Sequence, residues 1–145
     1  MMSHSEPEEE HIVSKIRHIA IATNDPDATA QFYKDAFGFE EVGVCDNDLA
    51  KGVFLSDGTL SFAVLQFHTD QLGRGLDYVG LHHFGMLVDD EASQRDRLTK
   101  LGSRVVMDKP EDAQENFFEV KFSGPDGVVF DVSEHPWLGS EGLPE

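Results

Sequence analysis

Two histidines, each at the start of a short apolar run, are the residues of this 145-residue chain best suited to chemistry. His18 opens the run at 19–22, and His83 opens the run at 84–88. Each run ends in acidic or amide residues and is followed by a helix-like segment and a glycine, so the two stretches form a repeat. A repeat with a histidine at the same place can bring two imidazoles together, and paired imidazoles are typical of metal sites.

The composition limits the kind of partner. The chain has 28 acidic and 11 basic residues and a formal net charge of −17. Such a surface repels nucleic acid and anionic membranes, so we expect a small-molecule partner instead. Cys45 is the one cysteine, which favours a reducing compartment. The N-terminal segment has no apolar stretch of the signal-peptide or membrane-spanning kind, and we expect a cytoplasmic protein.

The elements that position the first histidine follow from periodicity and end signals. Residues 16–22 alternate as a half-buried strand, with His18 on the face of the small residues. A helix is expected to begin near Pro26, where the fixed φ of proline suits the first turn, and to end at Gly38. Three further strands are predicted at 39–44, 52–55 and 60–67. The first half is therefore a βαβββ unit.

The second half repeats this order. It predicts a strand at 81–88, a helix from about 91 to 101, and strands at 103–107, 116–122 and 128–133. We therefore expect an α+β fold of two βαβββ modules, each with one face for its helix and another left to close over a ligand. One domain is expected at 14–137, with modules 15–68 and 81–134, a disordered acidic tail at 1–13 and a C-terminal tail at 138–145.

A polar residue interrupts the last strand of each half. Gln66 lies in an apolar run, and Asp131 lies in the sequence Val-Val-Phe-Asp-Val, where an acid is costly unless it is paired. Each follows its histidine by the same interval (66 − 18 and 131 − 83 are both 48), although the turns differ in length. We interpret His18, Gln66, His83 and Asp131 as ligands of one divalent ion, which could be Zn, Ni, Co, Mn or Fe. Taken singly, each is an ordinary core or surface residue.

The closing hairpin supplies candidates for proton transfer. If Phe122 faces Val128, then Glu119 faces Asp131 and lies on the cup side together with Lys121. We therefore take Glu119 as an acid/base or an extra ligand, and count Glu119 and Asp131 as the catalytic carboxylates. The alternative is that an alternating Glu/Lys pair forms a solvated face.

Three basic side chains are candidates for binding an anionic substrate group. We expect Lys121 or Arg74 to hold such a group, and His68, on the face of Gln66, to lie at the rim. Trp137 and Tyr33 are assigned to packing.

Four segments of the chain carry a resemblance to a known family. They are Ile-Arg-His-Ile-Ala-Ile at 16–21, Phe-Tyr-Lys-Asp-Ala-Phe-Gly-Phe at 32–39, Gly-Leu-His-His-Phe-Gly-Met-Leu-Val-Asp-Asp at 80–90, and Gly-Pro-Asp-Gly-Val-Val-Phe-Asp-Val at 124–132. Over nearly all of residues 15–136 the chain resembles the vicinal oxygen chelate (glyoxalase/bleomycin resistance/dioxygenase) superfamily.

The resemblance implies a fold and a metal site. In that superfamily, paired modules form a cup-shaped mixed sheet around a metal, whose ligands come from the first and last strands of each module. Those positions fall on His18, Gln66, His83 and Asp131, and His82 is expected to point to the other face. The resemblance also implies a homodimer.

The set of His, Gln, His and a carboxylate is most similar to that of methylmalonyl-CoA epimerase-like members. Two positions depart from that pattern, because Asp131 replaces a glutamate and the stretch 43–45 lacks the catalytic glutamate of the epimerases. Glyoxalase I has a glutamate where this chain has Gln66.

The resemblance therefore implies a metal-dependent lyase or isomerase that acts on a small, oxygenated, anionic substrate through a metal-stabilised enediolate. The alternatives are a non-haem iron dioxygenase using His18, His83 and Asp131, and a non-catalytic drug-binding protein of the bleomycin-resistance type.

Overall fold

A computed structural model of the chain describes residues 12–108 and 119–144. The strands are β1 (Ser14–Ala22), β2 (Glu40–Asp46), β3 (Ala50–Ser56), β4 (Ser61–Phe67), β5 (Gly80–Val88), β6 (Arg104–Met107), β7 (Val120–Ser123) and β8 (Val129–Ser133). The helices are α1 (Pro26–Phe37) and α2 (Glu91–Lys100), and a short 3₁₀ turn covers Pro125–Gly127. Most of the predicted acidic tail and the predicted strand start at 116–118 lie outside the described residues.

All eight strands form one mixed sheet in the order β2-β3-β4-β1-β5-β8-β7-β6. Within each module the first and last strands pair in parallel, β1 with β4 and β5 with β8. The modules join where β1 pairs antiparallel with β5. The α+β prediction of two βαβββ modules is confirmed.

The helices cover one face of this sheet, here called the outer face. The Asp25 side chain caps α1 by accepting a hydrogen bond from Ala28 N (3.1 Å), and Gly38 ends α1 with a φ of 72°. Helix α1 packs through Ala30 and Tyr33 against β3 and β4. Helix α2 buries none of its own residues and contacts its half of the sheet through Leu98. None of the helices in the described part of the chain is long and apolar enough to span a membrane.

The opposite, inner face of the first module is an apolar core formed by Ala20, Ala63 and Leu65. The C-terminal segment returns across this core and places Trp137 against it. Ser56 Oγ donates a hydrogen bond to Gly139 O (2.6 Å), which fixes this segment beside the end of β3. The inner core and the candidate site therefore share a covering segment.

Two β-bulges interrupt the pairing of β1 with β5. The first lies between Ile16 and His18, so Arg17 is the extra residue, and the second makes His82 the extra residue of β5. A bulge breaks the strict alternation of side chains between the two faces of a strand. Arg17 and His18 therefore both reach toward β8, and His82 lies beside His83 with their Nδ1 atoms 2.7 Å apart.

The expectation that His82 points to the other face is wrong. Its ring stacks on Phe67, a residue of the inner face, with centroids 3.8 Å apart. The alternation rule fails here because His82 is itself the bulged residue.

Candidate metal and catalytic site

Four side chains that can bind a metal meet between the two modules. Each offers one ligand atom, and these atoms all lie within 4.8 Å of one another. They belong to His18, His83, Glu119 and Asp131. Metal–ligand distances of about 2.0–2.2 Å place the ligand atoms around one ion roughly 3–4.4 Å apart. The four atoms lie near this range, so shifts of a few tenths of an ångström would let them surround a single divalent ion, and two imidazoles with two carboxylates suit zinc, iron or cobalt.

The residues that hold this cluster lie in one row across three strands. His18 of β1 is paired with Gly85 of β5, and Gly85 is paired with Asp131 of β8. Because glycine has no side chain, His18 reaches over it, and its Nε2 lies 2.6 Å from Asp131 Oδ2. A Cβ at Gly85 would overlap both the His18 ring and the Asp131 carboxylate. The glycine is therefore part of the site.

His83 and Glu119 complete the cluster. His83 Nε2 lies 3.2 Å from Asp131 Oδ2, and this buried nitrogen has no aligned hydrogen-bond partner. Glu119, just before β7, places Oε2 3.5 Å from His18 Nε2. A buried nitrogen left unbonded and facing carboxylate oxygens is the arrangement expected of a metal ligand without its ion. The residues present therefore fit a metal.

Two buried cations balance the two carboxylates. Arg17 is 2% exposed and Lys121 is 4% exposed. Arg17 Nη2 contacts Glu119 and lies 3.1 Å from Asp131 Oδ1, whereas Lys121 Nζ lies 3.5 Å from Glu119 Oε1. Sequence reasoning missed Arg17, because regular alternation would place it on the face opposite His18. Only the bulge brings it into the site.

Trp137 forms the cover of this site. Its ring stacks on the His18 imidazole, with centroids 4.3 Å apart and planes 11° apart, and Arg17 lies over the same ring at 4.6 Å. Arg17 Nη1 also donates to His135 O at 2.7 Å. Trp137 therefore packs as expected, but against the site itself. Tyr33 packs with the aromatic residues under α1.

The two cluster histidines have opposite electrostatic settings. Burial alone would lower the pKa of His18, but the charge and hydrogen bond of Asp131, with Glu119, raise it to about 9. Burial lowers the pKa of His83, and Lys121 and His18 add to this effect. In the metal-free protein at neutral pH, His18 therefore carries a proton and His83 does not.

The carboxylates remain ionised despite their burial. Burial and the neighbouring carboxylate would raise the pKa of Glu119, yet Lys121 and His18 leave that pKa below its usual value. Burial would also raise the pKa of Asp131, but His18, His83 and Arg17 hold it well below the usual range. Both side chains are thus available as anionic ligands or proton acceptors.

Comparison with known proteins identifies the family of this chain. Residues 15–132 match the Glyoxalase/Bleomycin resistance protein/Dioxygenase superfamily. The chain belongs to this superfamily. An ethylmalonyl-CoA/methylmalonyl-CoA epimerase of Cereibacter sphaeroides is 30% identical over 104 residues, which cover 66% of this chain and 76% of that protein.

Two solved structures share the fold. A variant of Streptomyces coelicolor methylmalonyl-CoA epimerase in complex with 2-nitronate-propionyl-CoA has a TM-score of 0.68 and 24% identity, covering 83% of this chain and 96% of that one. A hypothetical protein of Bacillus halodurans has a TM-score of 0.70 and 17% identity, covering 88% and 99%. At these identities the likeness shows the fold alone.

Gln66 does not lie in the cluster of His18, His83, Glu119 and Asp131. His18 is paired with Ser61 of β4, and Gln66 lies five residues further along that strand, about 16 Å away at ~3.3 Å per residue. Gln66 also alternates with Leu65 of the inner core and so faces the α1 side, where it lies near Pro26. The placement predicted for Gln66 is therefore wrong, because equal spacing along the chain did not reflect equal register.

The register predicted for the closing hairpin is also wrong, by two residues. Lys121, rather than Glu119, is paired with Asp131, because the turn covers residues 124–128 instead of 123–127 and the last pair is Ser123 with Val129. A shift of two preserves the face of every side chain, so Glu119 and Lys121 still point toward the inner side. Both reach the cluster from there.

The remaining predicted binding residues lie in or beside the link between the modules. Arg74 lies over the Tyr78 ring at 5.5 Å and shares a groove of about 560 Å³ with His82 and His83. His68 is exposed, and its backbone N donates to Leu49 O at 2.8 Å. Arg74 thus borders the groove beside the site, and His68 lies past the end of β4.

Proposed function

We propose that this chain is a divalent-metal-dependent isomerase that removes a proton next to the carbonyl group of a small anionic substrate. The observation that carries the proposal is the buried cluster of His18, His83, Glu119 and Asp131, with Lys121 beside it. A buried group of this kind is costly to fold unless its charges are paired or bind an ion. Its placement between the two modules is a position where a cup could receive a ligand.

The cluster residues divide into ligands and a proton carrier. His18, His83 and Asp131 would hold the metal, with Glu119 as a fourth ligand or as the base. When bound, such an ion would polarise a substrate carbonyl and so lower the cost of removing the adjacent proton. Glu119 is ionised and lies in reach of the cluster, so it can accept that proton.

The charge of the site favours an anionic substrate. Arg17 and Lys121 balance Glu119 and Asp131, so with neutral histidines a divalent ion would leave two positive charges uncompensated. Lys121 is buried opposite Asp131, which supports the proposal that it binds a substrate carboxylate beside Glu119. Arg74, at the edge of the adjoining groove, is a second candidate for this role.

The substrate class can be approached through the most informative relative. The Cereibacter protein is named for ethylmalonyl-CoA and methylmalonyl-CoA, both of which carry a carboxylate and an acidic carbon next to a thioester. We propose acyl compounds of this type as the first class to test. Free carboxylic acids with a carbonyl group belong in the same trial, because the stretch 43–45 lacks the glutamate of the epimerases.

Deuterium exchange tests the proposal directly. The metal-loaded protein should wash deuterium from D₂O into the carbon next to the substrate carbonyl. Glu119→Gln should slow this exchange by about 10²–10⁴-fold at unchanged metal content, as expected for loss of a general base. Glu40→Gln, an exposed glutamate of β2, is the matched control. Undiminished exchange by the Glu119 variant would rule out that residue as the base.

A second candidate function is oxygen-dependent chemistry at an iron ion. Asp131 Oδ2 faces both imidazole Nε2 atoms, whereas Glu119 is held by Arg17. This leaves His18, His83 and Asp131 as a 2-His-1-carboxylate set of the kind found in non-haem iron dioxygenases. Oxygen consumption by the Fe(II)-loaded protein with a catechol would favour this function over the isomerase. Absence of metal uptake would favour a binding protein instead.

The homodimer also stays a prediction. Within the described residues the sheet ends in strands β2 and β6, and such edge strands offer unpaired backbone groups to a second copy. Sedimentation equilibrium measures the mass in solution, for which a dimer of this 16.1 kDa chain is expected.

A further inference from the structure

Arg17 is a buried cation inside the candidate metal site, and neither the sequence pattern nor the superfamily match accounts for it. Its guanidinium contacts Glu119, Asp131 Oδ1 and His135 O, and it lies over the Trp137 ring. A side chain 2% exposed with this many partners has one fixed position. Arg17 forms salt bridges with Glu119 and Asp131, the same two carboxylates that a metal would bind.

The contact with Arg17 affects the metal-binding capacity of the two carboxylates differently. Asp131 offers Oδ1 to Arg17 and Oδ2 to the histidines, so it can serve a metal and the guanidinium at the same time. Glu119 has its Oε2 on Arg17, and this same oxygen is the one 3.5 Å from His18 Nε2. The other oxygen, Oε1, lies 3.5 Å from Lys121 Nζ. A metal that bound Glu119 would therefore have to share an oxygen with one of these two cations or displace it, and the oxygen nearest His18 is the one on Arg17. Glu119 is the contested residue.

We propose that Arg17 is a positioning residue that competes with the divalent metal for Glu119 and keeps this carboxylate off the ion. The inference rests on the metal site of the proposed function. In the wild-type protein the ion is then held by His18, His83 and Asp131, and Glu119 stays available for proton transfer. Without Arg17, Glu119 joins the ion as a fourth ligand.

The competition has a measurable consequence for metal affinity. A guanidinium a few ångströms from the ion repels it, and removal of that charge also frees an anionic ligand. At an effective dielectric constant near 20, a repulsion over such distances is large enough to change affinity by roughly 10²-fold or more. Arg17→Gln should therefore bind Zn²⁺ at least about tenfold more tightly than the wild-type protein.

Zinc titration of metal-stripped protein tests this, with free Zn²⁺ set by a competing chelator. Arg17→Lys keeps the buried charge but loses the forked and stacked contacts of the guanidinium, so its affinity should lie between those of the wild type and Arg17→Gln. Lys34→Gln removes the same charge from the exposed surface of α1, where Lys34 pairs with Glu41 at 2.7 Å, and should leave the affinity unchanged. Trp137 is the only tryptophan, so its emission reports on the contact with Arg17 in each variant.

Each result decides the proposal. Equal or weaker zinc binding by Arg17→Gln, with the fold intact by circular dichroism, would overturn it and leave the proposed function standing. If that variant unfolds when metal-free, zinc should restore its fold, and failure of zinc to do so would show that Arg17 is needed for another reason. Absence of zinc binding in the wild-type protein would remove both this inference and the proposed metal site.

Discussion

The two modules have the same topology but contribute unequally to the site. In each module, the residue two positions after the histidine is paired in parallel with the last strand. In the first module this pair is Ala20 with Ala63, and in the second it is Gly85 with Asp131. The structural counterpart of Asp131 is therefore Ala63, which is fully buried in the inner core. Gln66 lies three residues beyond it.

This difference shows how a repeated scaffold can carry one site instead of two. The first module contributes His18 and Arg17 from β1 and uses the rest of its inner face as an apolar core. The second module contributes His83, Glu119 and Asp131. The backbones of the two modules correspond position by position, whereas three of the four residues of the cluster belong to the second module.

Replacing Asp131 by alanine, the residue at the equivalent position of the first module, should have the largest effect on stability and metal binding. Asp131→Ala removes the carboxylate that lies closest to His18 and one of the two carboxylates that pair with Arg17, so Glu119 alone faces both buried cations. Breaking a buried ion pair in this way costs about 3–5 kcal/mol. Urea unfolding of the metal-free variant should show this loss in the free energy of unfolding, and metal analysis should show no retained ion.

The control for Asp131→Ala is Asp126→Asn in the same hairpin. Asp126 is exposed and has a φ of 62°, a conformation that asparagine also tolerates. Its free energy of unfolding should change by less than about 0.5 kcal/mol. A loss below about 1 kcal/mol for Asp131→Ala would mean that the buried charges find other partners.

Gly85→Ala removes the second difference between the modules, because the first module already has Ala20 at this position. The added methyl group would overlap His18 and Asp131, so the two side chains must separate. Overpacking of this kind costs about 1–3 kcal/mol. Thermal unfolding should show the lower stability, and the zinc affinity should fall as well. Gly142→Ala, where a Cβ meets nothing within 4 Å, should leave both unchanged. Full zinc affinity in Gly85→Ala would show that the row across three strands is not required.

His18 of the first module and His82 of the second should affect the free energy of unfolding in opposite directions as pH changes. His18 has a pKa of about 9 in the folded, metal-free protein against 6.5 for an ordinary histidine. Between pH 6.5 and 9 the native state therefore holds one proton more than the unfolded state, and the free energy of unfolding falls as pH rises, by about 1.4 kcal/mol per unit. His82 has its pKa lowered to about 3, chiefly by burial and then by His83. Its contribution has the opposite sign, so below pH 6.5 stability is lost as pH falls.

Urea unfolding of metal-free protein across pH 5 to 9 measures this dependence. Stability should be greatest near pH 6.5. His18→Gln should abolish the decline above that value while leaving the decline on the acid side. A wild-type curve that is flat from pH 6.5 to 9 would contradict the ion pair of His18 with Asp131.

The fold could be predicted from the sequence because its signals are local. The caps at Asp25 and Gly38, the apolar alternation in β1 and β5, and the turn residues each act within a few positions. Each predicted element therefore had its own evidence along the chain. The repeat added the order of the elements.

The site could be predicted only in part because its geometry depends on pairing between distant strands. The sequence identifies His18, His83 and Asp131, because alternation places them on the inner face. Arg17 and His82 were not placed correctly because their positions depend on bulges, which require the register of β1 on β5. The predicted position of Gln66 is wrong for a related reason. A longer or shorter turn changes the number of residues between two strands without changing how those strands pair.

The smallest effect is expected at the residue on which the sequence and the structure disagree most. Gln66 is only partly buried on the α1 side, five positions beyond the partner of His18. Gln66→Ala should therefore leave zinc content unchanged and shift the free energy of unfolding by no more than about 0.5 kcal/mol. Zinc content should be measured for Gln66→Ala and Asp131→Ala in parallel, because each residue follows the histidine of its module by the same number of positions. A large loss of zinc in Gln66→Ala would mean that metal binding moves β4 relative to β1, and that the modules become alike only in the metal-bound protein.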